Sequence, residues 1–378
     1  MPVDPRRESE GEIPRHHDPD GGFRNPWPTF GERASGLRWA LQRITGKLPS
    51  DPTPEEIPRA RPAMGNGSGQ ADGDSKEVRA TWIGHATFLL QIGGLNLLTD
   101  PHWSDRASPV SWAGPRRLAP PGVPFEELPR VDAVLLSHDH FDHLDQDTIR
   151  ALAERFGQEV EWCAPTGYAP MLRKWGARRI SELDWYESKI LSRGSGHGDG
   201  SGDGIGDGSG DGIGAASVEN GDRYAGGDSG SPTVEATFLP AQHWSARSPF
   251  SRNRRLWGSW AVRAGDRSVY FGGDTGWFPE YPEIGRHSGP FDLVILPIGA
   301  YAPRWFMKPV HMNPTEAVRS YQDLGSRGVF AGMHWGTFRL SDEHPLEPPV
   351  LTRRAWKEAG LPEERLWLPA IGETRRIP

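Results

Sequence analysis

Cysteine is almost absent from this chain: Cys163 is the only one in 378 residues. No intrachain disulfide can form, and any metal site must be built from histidine and carboxylate instead of thiolate pairs. Such a composition suits a reducing compartment, and the expected location is the cytoplasm. An excess of positive charge is also lacking. The 43 Lys and Arg face 50 Asp and Glu, a formal charge of -7, so there is no global basic field of the kind that holds nucleic acid, and no nucleic-acid partner is expected. Long apolar runs are missing too. Phe88 to Ile92 and Val131 to Leu136 are far too short to span a bilayer, and the charged, Pro-rich amino end holds no apolar core of a secretory signal.

Glycine and proline, by contrast, are abundant, at 47 and 36 residues, which implies many turns and some stretches that do not pack. Residues 1–21 are charged and poor in apolar groups, and read as a disordered leader. Residues 22–77 read as an N-terminal extension packing on the core. Within it, FRNPWPTF at 23–30 interleaves aromatics with prolines, as an ordered arm in a groove would. A short amphipathic helix is expected at Leu37 to Ile44, and residues 49–77 look like a linker. From Gly194 to Gly214 every even-numbered position is glycine, and 199–206 and 207–214 are the same octapeptide, DGSGDGIG. Ordering so many glycines with so little to bury is unfavourable, so 192–232 is expected to be a flexible Gly/Asp/Ser insertion.

Dense patterning begins at Val78 and defines a main domain over 78–378. Strands are expected at 78–83, 86–92 and 95–99, the last two joined by a Gly93-Gly94 hairpin turn. A buried-type strand at 131–136 leads to a helix over 146–156. Further strands are expected at 160–163, 234–240, 257–264, 268–272, 291–298 and 328–333, with helices at 167–175 and 314–324. This alternation points to a mixed, layered α/β domain.

The strongest chemical signal is Ser137-His138-Asp139-His140-Phe141-Asp142-His143, placed directly after an apolar strand. His138 and His140 lie two apart and can face one point, while Asp142 and His143 can turn toward a neighbouring one. The spacing therefore offers two adjacent metal positions, with donors suited to zinc, iron or manganese. Three more donors follow apolar strands elsewhere: His243 in PAQHW, Asp274 in FGGDTG and His334 in GMHWG. Open sheets place their ligands at such strand ends. Asp139 is read as support for a ligand or as a helix cap.

In its HxHxDH motif and the order of the later donors, the chain resembles the metallo-β-lactamase superfamily. It is most similar to the branch of N-acyl-phosphatidylethanolamine-hydrolysing phospholipase D proteins. That resemblance rests on NPWPTF at 25–30, TWIGHAT at 81–87, LTDP at 98–101, DRASP at 105–109, GPRR at 114–117, WGSW at 257–260, GAYAPRWFM at 299–307 and HWGTF at 334–338. It implies an αββα four-layer sandwich, two mixed sheets flanked by helices. It also implies two divalent metal ions, zinc foremost, one on His138, His140 and His243, the other on Asp142, His143 and His334, with Asp274 bridging.

By the same resemblance, the chain is expected to hydrolyse a phosphodiester phospholipid, with Asp142 and Asp274 at the catalytic centre and His311 beside the substrate phosphate. His85 and Asp100 are expected to support metal-binding side chains, and Arg304 and Trp305 to contact substrate. Sixteen tryptophans suggest some at a lipid interface, hence peripheral membrane contact at the inner face. A lactonase or other small-ester hydrolase is the alternative with the same site. A non-catalytic metal-binding protein is the alternative of another class. Oligomeric state is left open.

Overall fold

The computed structural model describes residues 14–27, 36–46, 48–63, 77–193, 233–248 and 250–377. Residues 1–13 of the expected leader, 28–30 of the aromatic arm, 64–76 of the linker and 194–232 of the expected insertion lie outside the described residues. A helix, α1 (Gly36–Thr45), precedes the main domain.

The first sheet opens with an antiparallel meander, β1 (Val78–Gly84), β2 (Thr87–Ile92) and β3 (Leu95–Thr99). Gly93 and Gly94, at φ 57° and 80°, make the tight turn that few other residues tolerate. The sheet then continues in parallel through β4 (Ala133–Leu135), β5 (Glu161–Pro165) and β6 (Arg179–Leu183), with α2 (Gln146–Phe156) and α3 (Ala169–Lys174) in the crossovers. Asp145 caps α2 by accepting from the Asp147 amide, and Gly157, at φ 60°, ends it.

A second sheet repeats the plan. Antiparallel β7 (Ser188–Leu191), β8 (Val234–Leu239), β9 (Ser259–Ala264) and β10 (Arg267–Phe271) are followed by parallel β11 (Leu293–Pro297), β12 (Val329–Met333) and β13 (Leu366–Trp367). Helices α4 (Tyr281–Ser288), α5 (Arg304–Met307), α6 (Pro314–Asp323) and α7 (Glu347–Glu358) belong to this half. A last strand, β14 (Thr374–Ile377), returns to pair with β1. The sheet orders are β14-β1-β2-β3-β4-β5-β6 and β13-β12-β11-β10-β9-β8-β7, and the result is the αββα four-layer sandwich.

Strand periodicity divides the core in two. Trp82, Phe88, Leu90 and Leu97 join Phe238, Trp260, Phe271, Ile295 and Phe330 of the other sheet in one apolar cluster. Their neighbours Ile83, Leu89, Leu98 and Val134 face the other way, onto Ile149, Leu152 and Leu172 of α2 and α3. A slip of one residue would exchange these sets, so register is tightly specified. The Trp260 indole donates to the Leu136 carbonyl at 2.9 Å, tying the second sheet to the end of β4.

Two expectations need correction. Residues 14–21, assigned to the disordered leader, are folded as turns, because His16 and His17 find Asp184 and Trp185 on the domain. The first half of the linker also packs: Ile57 is buried, and the Ala60 amide donates to the Ile371 carbonyl at 2.9 Å.

Candidate metal centre

Each donor singled out above stands just beyond the end of a strand. The 137–143 loop leaves β4, His243 follows β8, Asp274 follows β10 and His334 follows β12. His85 lies between β1 and β2, and Asp100 directly after β3. Strand ends of both sheets thus meet at one rim of the sandwich.

Backbone conformation supports the convergence. His85, Asp100 and His334 all adopt left-handed φ values of 56°, 33° and 65°, a strained state for side chains with a Cβ that tends to gather at functional sites. Gly273, at φ 55°, lets the Asp274 turn approach the loop: a Cβ there would stand 2.6 Å from the Ser137 Cβ.

The side chains form two donor groups. In the first, His138 Nε2 lies 3.0 Å from His140 Nδ1, which lies 3.1 Å from His243 Nε2. His243 Nδ1 faces the Val310 carbonyl at 2.9 Å. A carbonyl only accepts, so Nδ1 carries the proton and Nε2 presents its lone pair to the group. In the second, Asp142 Oδ2 lies 3.3 Å from Nε2 of both His143 and His334.

Asp274 stands between them. Its Oδ2 is 3.1 Å from His143 Nε2, 3.8 Å from His138 Nε2 and 4.0 Å from His243 Nε2, and its Oδ1 is 3.1 Å from His334 Nε2. The seven residues are thereby brought together.

Cation binding is what this arrangement fits. Nε2 of His143, Nε2 of His334 and Oδ1 of Asp274 are buried and make no hydrogen bond despite their proximity. Unpartnered buried polar atoms are unfavourable unless something else satisfies them. A nitrogen and oxygen set of this kind suits divalent ions, and the two groups allow one or two of them. Burial pushes the His138 and His243 imidazoles well down, toward the neutral form a metal requires. Burial acts to raise the Asp274 carboxyl, but His143, His334 and His311 outweigh it and hold the group well below the usual carboxylate range.

Around the donors, Asp100 accepts from the Ser137 amide at 2.7 Å, from the Ser137 hydroxyl at 2.5 Å and from His143 Nδ1 at 2.7 Å. His85 Nε2 lies 2.8 Å from Asp142 Oδ2. Asp139 does not cap α2; its carboxylate accepts from Arg255 Nε at 2.8 Å. His311 sits beside Asp274, Nδ1 to Oδ2 3.9 Å, and burial pushes its imidazole down to about 4. Its neutral form is favoured in this environment.

Arg304 and Trp305, expected as substrate contacts, are engaged within the protein. Arg304 pairs with Glu316 at 2.6 Å and donates to the His311 carbonyl at 2.9 Å, because Glu316 is already fixed by the capping box of α6. Trp305 lies under the Arg38 guanidinium of α1.

His102 escaped notice in the sequence, whereas Arg117 stands in the GPRR motif. Arg117 donates to the His102 carbonyl at 2.7 Å and approaches its Nδ1 at 3.0 Å; His102 is buried, and both side chains lie against Phe338. The one available signal was the adjacency of His102 to Asp100 and Pro101.

Comparison with known proteins agrees with this geometry. A model of the β-lactamase superfamily domain matches residues 95–199 and 208–335. An uncharacterised protein of Mycobacterium tuberculosis is 38% identical over 337 residues, 88% of this chain and 77% of its own length. The N-acyl-phosphatidylethanolamine-hydrolyzing phospholipase D 1 of Caenorhabditis elegans is 39% identical over 280 residues, 71% of this chain and 67% of its own. Among solved structures, a possible metal-dependent hydrolase of Veillonella parvula shares the fold, with a TM-score of 0.54 and 16% identity over 79% of this chain and 99% of that one. The chain belongs to the metallo-β-lactamase superfamily. Its fold and candidate metal-binding clusters are those of a metal-dependent hydrolase.

Proposed function

We propose that the protein is a binuclear zinc-dependent phosphodiesterase of the phospholipase D type, cleaving N-acyl-phosphatidylethanolamine or a similar phospholipid to N-acylethanolamine and phosphatidic acid. The observation that carries this reading is the position of Asp274 between two complete donor groups. The relative from Caenorhabditis elegans supplies the substrate class.

In this reading His138, His140 and His243 hold one ion, Asp142, His143 and His334 hold the other, and Asp274 reaches both. Ions bound there supply an activated water and neutralise charge on the phosphoryl oxygens. Asp100 fixes the His143 ring through Nδ1, leaving Nε2 for the metal, and His85 orients Asp142. His311, neutral and with a buried Nδ1 lacking any hydrogen bond, is placed to meet a phosphoryl or leaving oxygen.

A cavity of about 520 Å³ beside the 137–143 loop is lined by Phe141, Leu144, Val110, Arg106 and Arg247, together with carboxylates including Asp105. Trp112 and Phe250, 79% and 93% exposed on loops flanking this cavity, suit peripheral contact with a lipid surface. No helix among the described residues is long and apolar enough to cross a membrane. Residues 78–378 form the catalytic unit.

The test is to incubate zinc-loaded protein with a panel of phospholipid diesters and lactones and to identify products by mass. Release of phosphatidic acid with N-acylethanolamine is expected. Lactone opening without any diester cleavage would transfer the site to the small-ester reading, and a metal-loaded protein inert on the whole panel would favour a non-catalytic metal-binding role.

A further inference from the structure

His16 and His17 take no part in the chemistry above. They lie 168 and 167 residues from Asp184, yet His16 Nε2 stands 2.5 Å from Oδ1 of that carboxylate and His17 Nε2 stands 2.6 Å from Oδ2. Successive residues of an extended chain point to opposite sides. Here a turn at 15–16 and the bridge from His17 to Phe23 bend the segment so that both imidazoles face one point.

The surroundings hold them there. The His16 ring stacks on Trp185 at 4.1 Å and meets His17 edge-on at 4.7 Å. The three donor atoms all lie within 4.8 Å of one another. His16 is buried, whereas the side chains of His17 and Asp184 remain 31% and 23% exposed, which leaves solvent access for a water ligand. Burial acts to raise the Asp184 carboxyl, and its bonds to His16 and His17 outweigh it, so the group stays ionised.

We propose that His16, His17 and Asp184 form a further binding site for a divalent transition-metal ion, separate from the centre at 138–334. Two imidazoles and a carboxylate are a donor set for zinc and its neighbours, with water completing the coordination. The ion fastens the arm to the domain, and the arm reaches the main centre. Asn25 Nδ2 donates to the His243 carbonyl at 2.8 Å, and the Trp27 indole donates to Glu280 at 2.7 Å while stacking on Trp185. An ion at the arm therefore steadies the backbone of His243 from outside the centre.

The competing account is a latch made only of hydrogen bonds, with the imidazoles donating to Asp184. A paired variant, His16→Gln with His17→Gln, separates the two, because carboxamides can still donate to Asp184 but are poor metal ligands. Full-length protein is stripped with a chelator, dialysed to equilibrium against excess Zn²⁺, and its bound zinc counted by mass spectrometry. Parent protein is expected to hold one zinc more than the variant. Asp184→Asn, similar in size, is expected to lose the same equivalent, with circular dichroism matching the parent to establish folding. Equal zinc counts in the parent and the folded variants would overturn the proposal. The difference between proteins is read whatever the loading of the main centre.

Discussion

Asp100 and His143 are 43 residues apart in sequence and 2.7 Å apart in space, the carboxylate accepting from Nδ1 of the ring. This contact selects the tautomer that leaves His143 Nε2 bare toward Asp142 and Asp274. Asp100→Asn is expected to weaken metal binding about 10- to 100-fold, because a neutral amide holds the ring less firmly. Competition with a chelator of known affinity measures it, and an unchanged affinity would remove Asp100 from the account.

Asp274 offers Oδ1 to His334 and Oδ2 to His143, each at 3.1 Å, and the same Oδ2 faces His138 and His243 of the other group at 3.8 and 4.0 Å. Asp274→Asn removes the charge that both groups share, and turnover is expected to fall by at least about 100-fold. Zinc content should fall in parallel. Steady-state rates with metal analysis on one preparation test both.

His311 touches no other group by hydrogen bond through Nδ1. His311→Ala is therefore expected to keep the metal content of the parent while slowing turnover by about 100-fold or more. A parent-like rate at equal metal content would place this histidine outside the reaction.

His102 makes acid stability a test of the buried site. Burial pushes its imidazole from 6.5 down to about 4. Between those values the unfolded chain takes up a proton that the folded protein refuses, so stability falls as pH drops through this window. The loss amounts to about 3 kcal/mol from this group. Urea titrations of metal-free protein between pH 7 and pH 4 should show a shallower decline for His102→Gln than for the parent.

Trp260 is fully buried and its indole donates to the Leu136 carbonyl, immediately before the metal loop. Trp260→Phe leaves that carbonyl without its partner and opens a small void. The expected loss is about 1–3 kcal/mol in denaturant unfolding.

Much of this architecture was legible from local pattern. The Gln146–Phe156 helix could be read because Asp145 and Gly157 mark its ends, and the seven donors because each follows an apolar strand. Other elements left no such trace. Arg179–Leu183 and Ser188–Leu191 end their sheets and are largely polar or exposed, so they lack the alternation that a half-buried strand shows. Glu347–Glu358 carries Pro348 and Pro349 in its first turn, which resembles a loop until the turn is known to be a helix start. The Arg304–Glu316 pair lies across a helix cap, a tertiary relation that motif spacing does not encode. The folding of residues 14–21 likewise depends on Asp184 and Trp185, more than 160 positions away.

The most direct measurement is anomalous diffraction at the zinc absorption edge from crystals of metal-loaded protein. At the main centre the account predicts two peaks roughly 3.5 Å apart, one among His138, His140 and His243, the other among Asp142, His143 and His334, with Asp274 reaching both, apart from any peak at His16, His17 and Asp184. A single peak, or none within reach of these side chains, would contradict it.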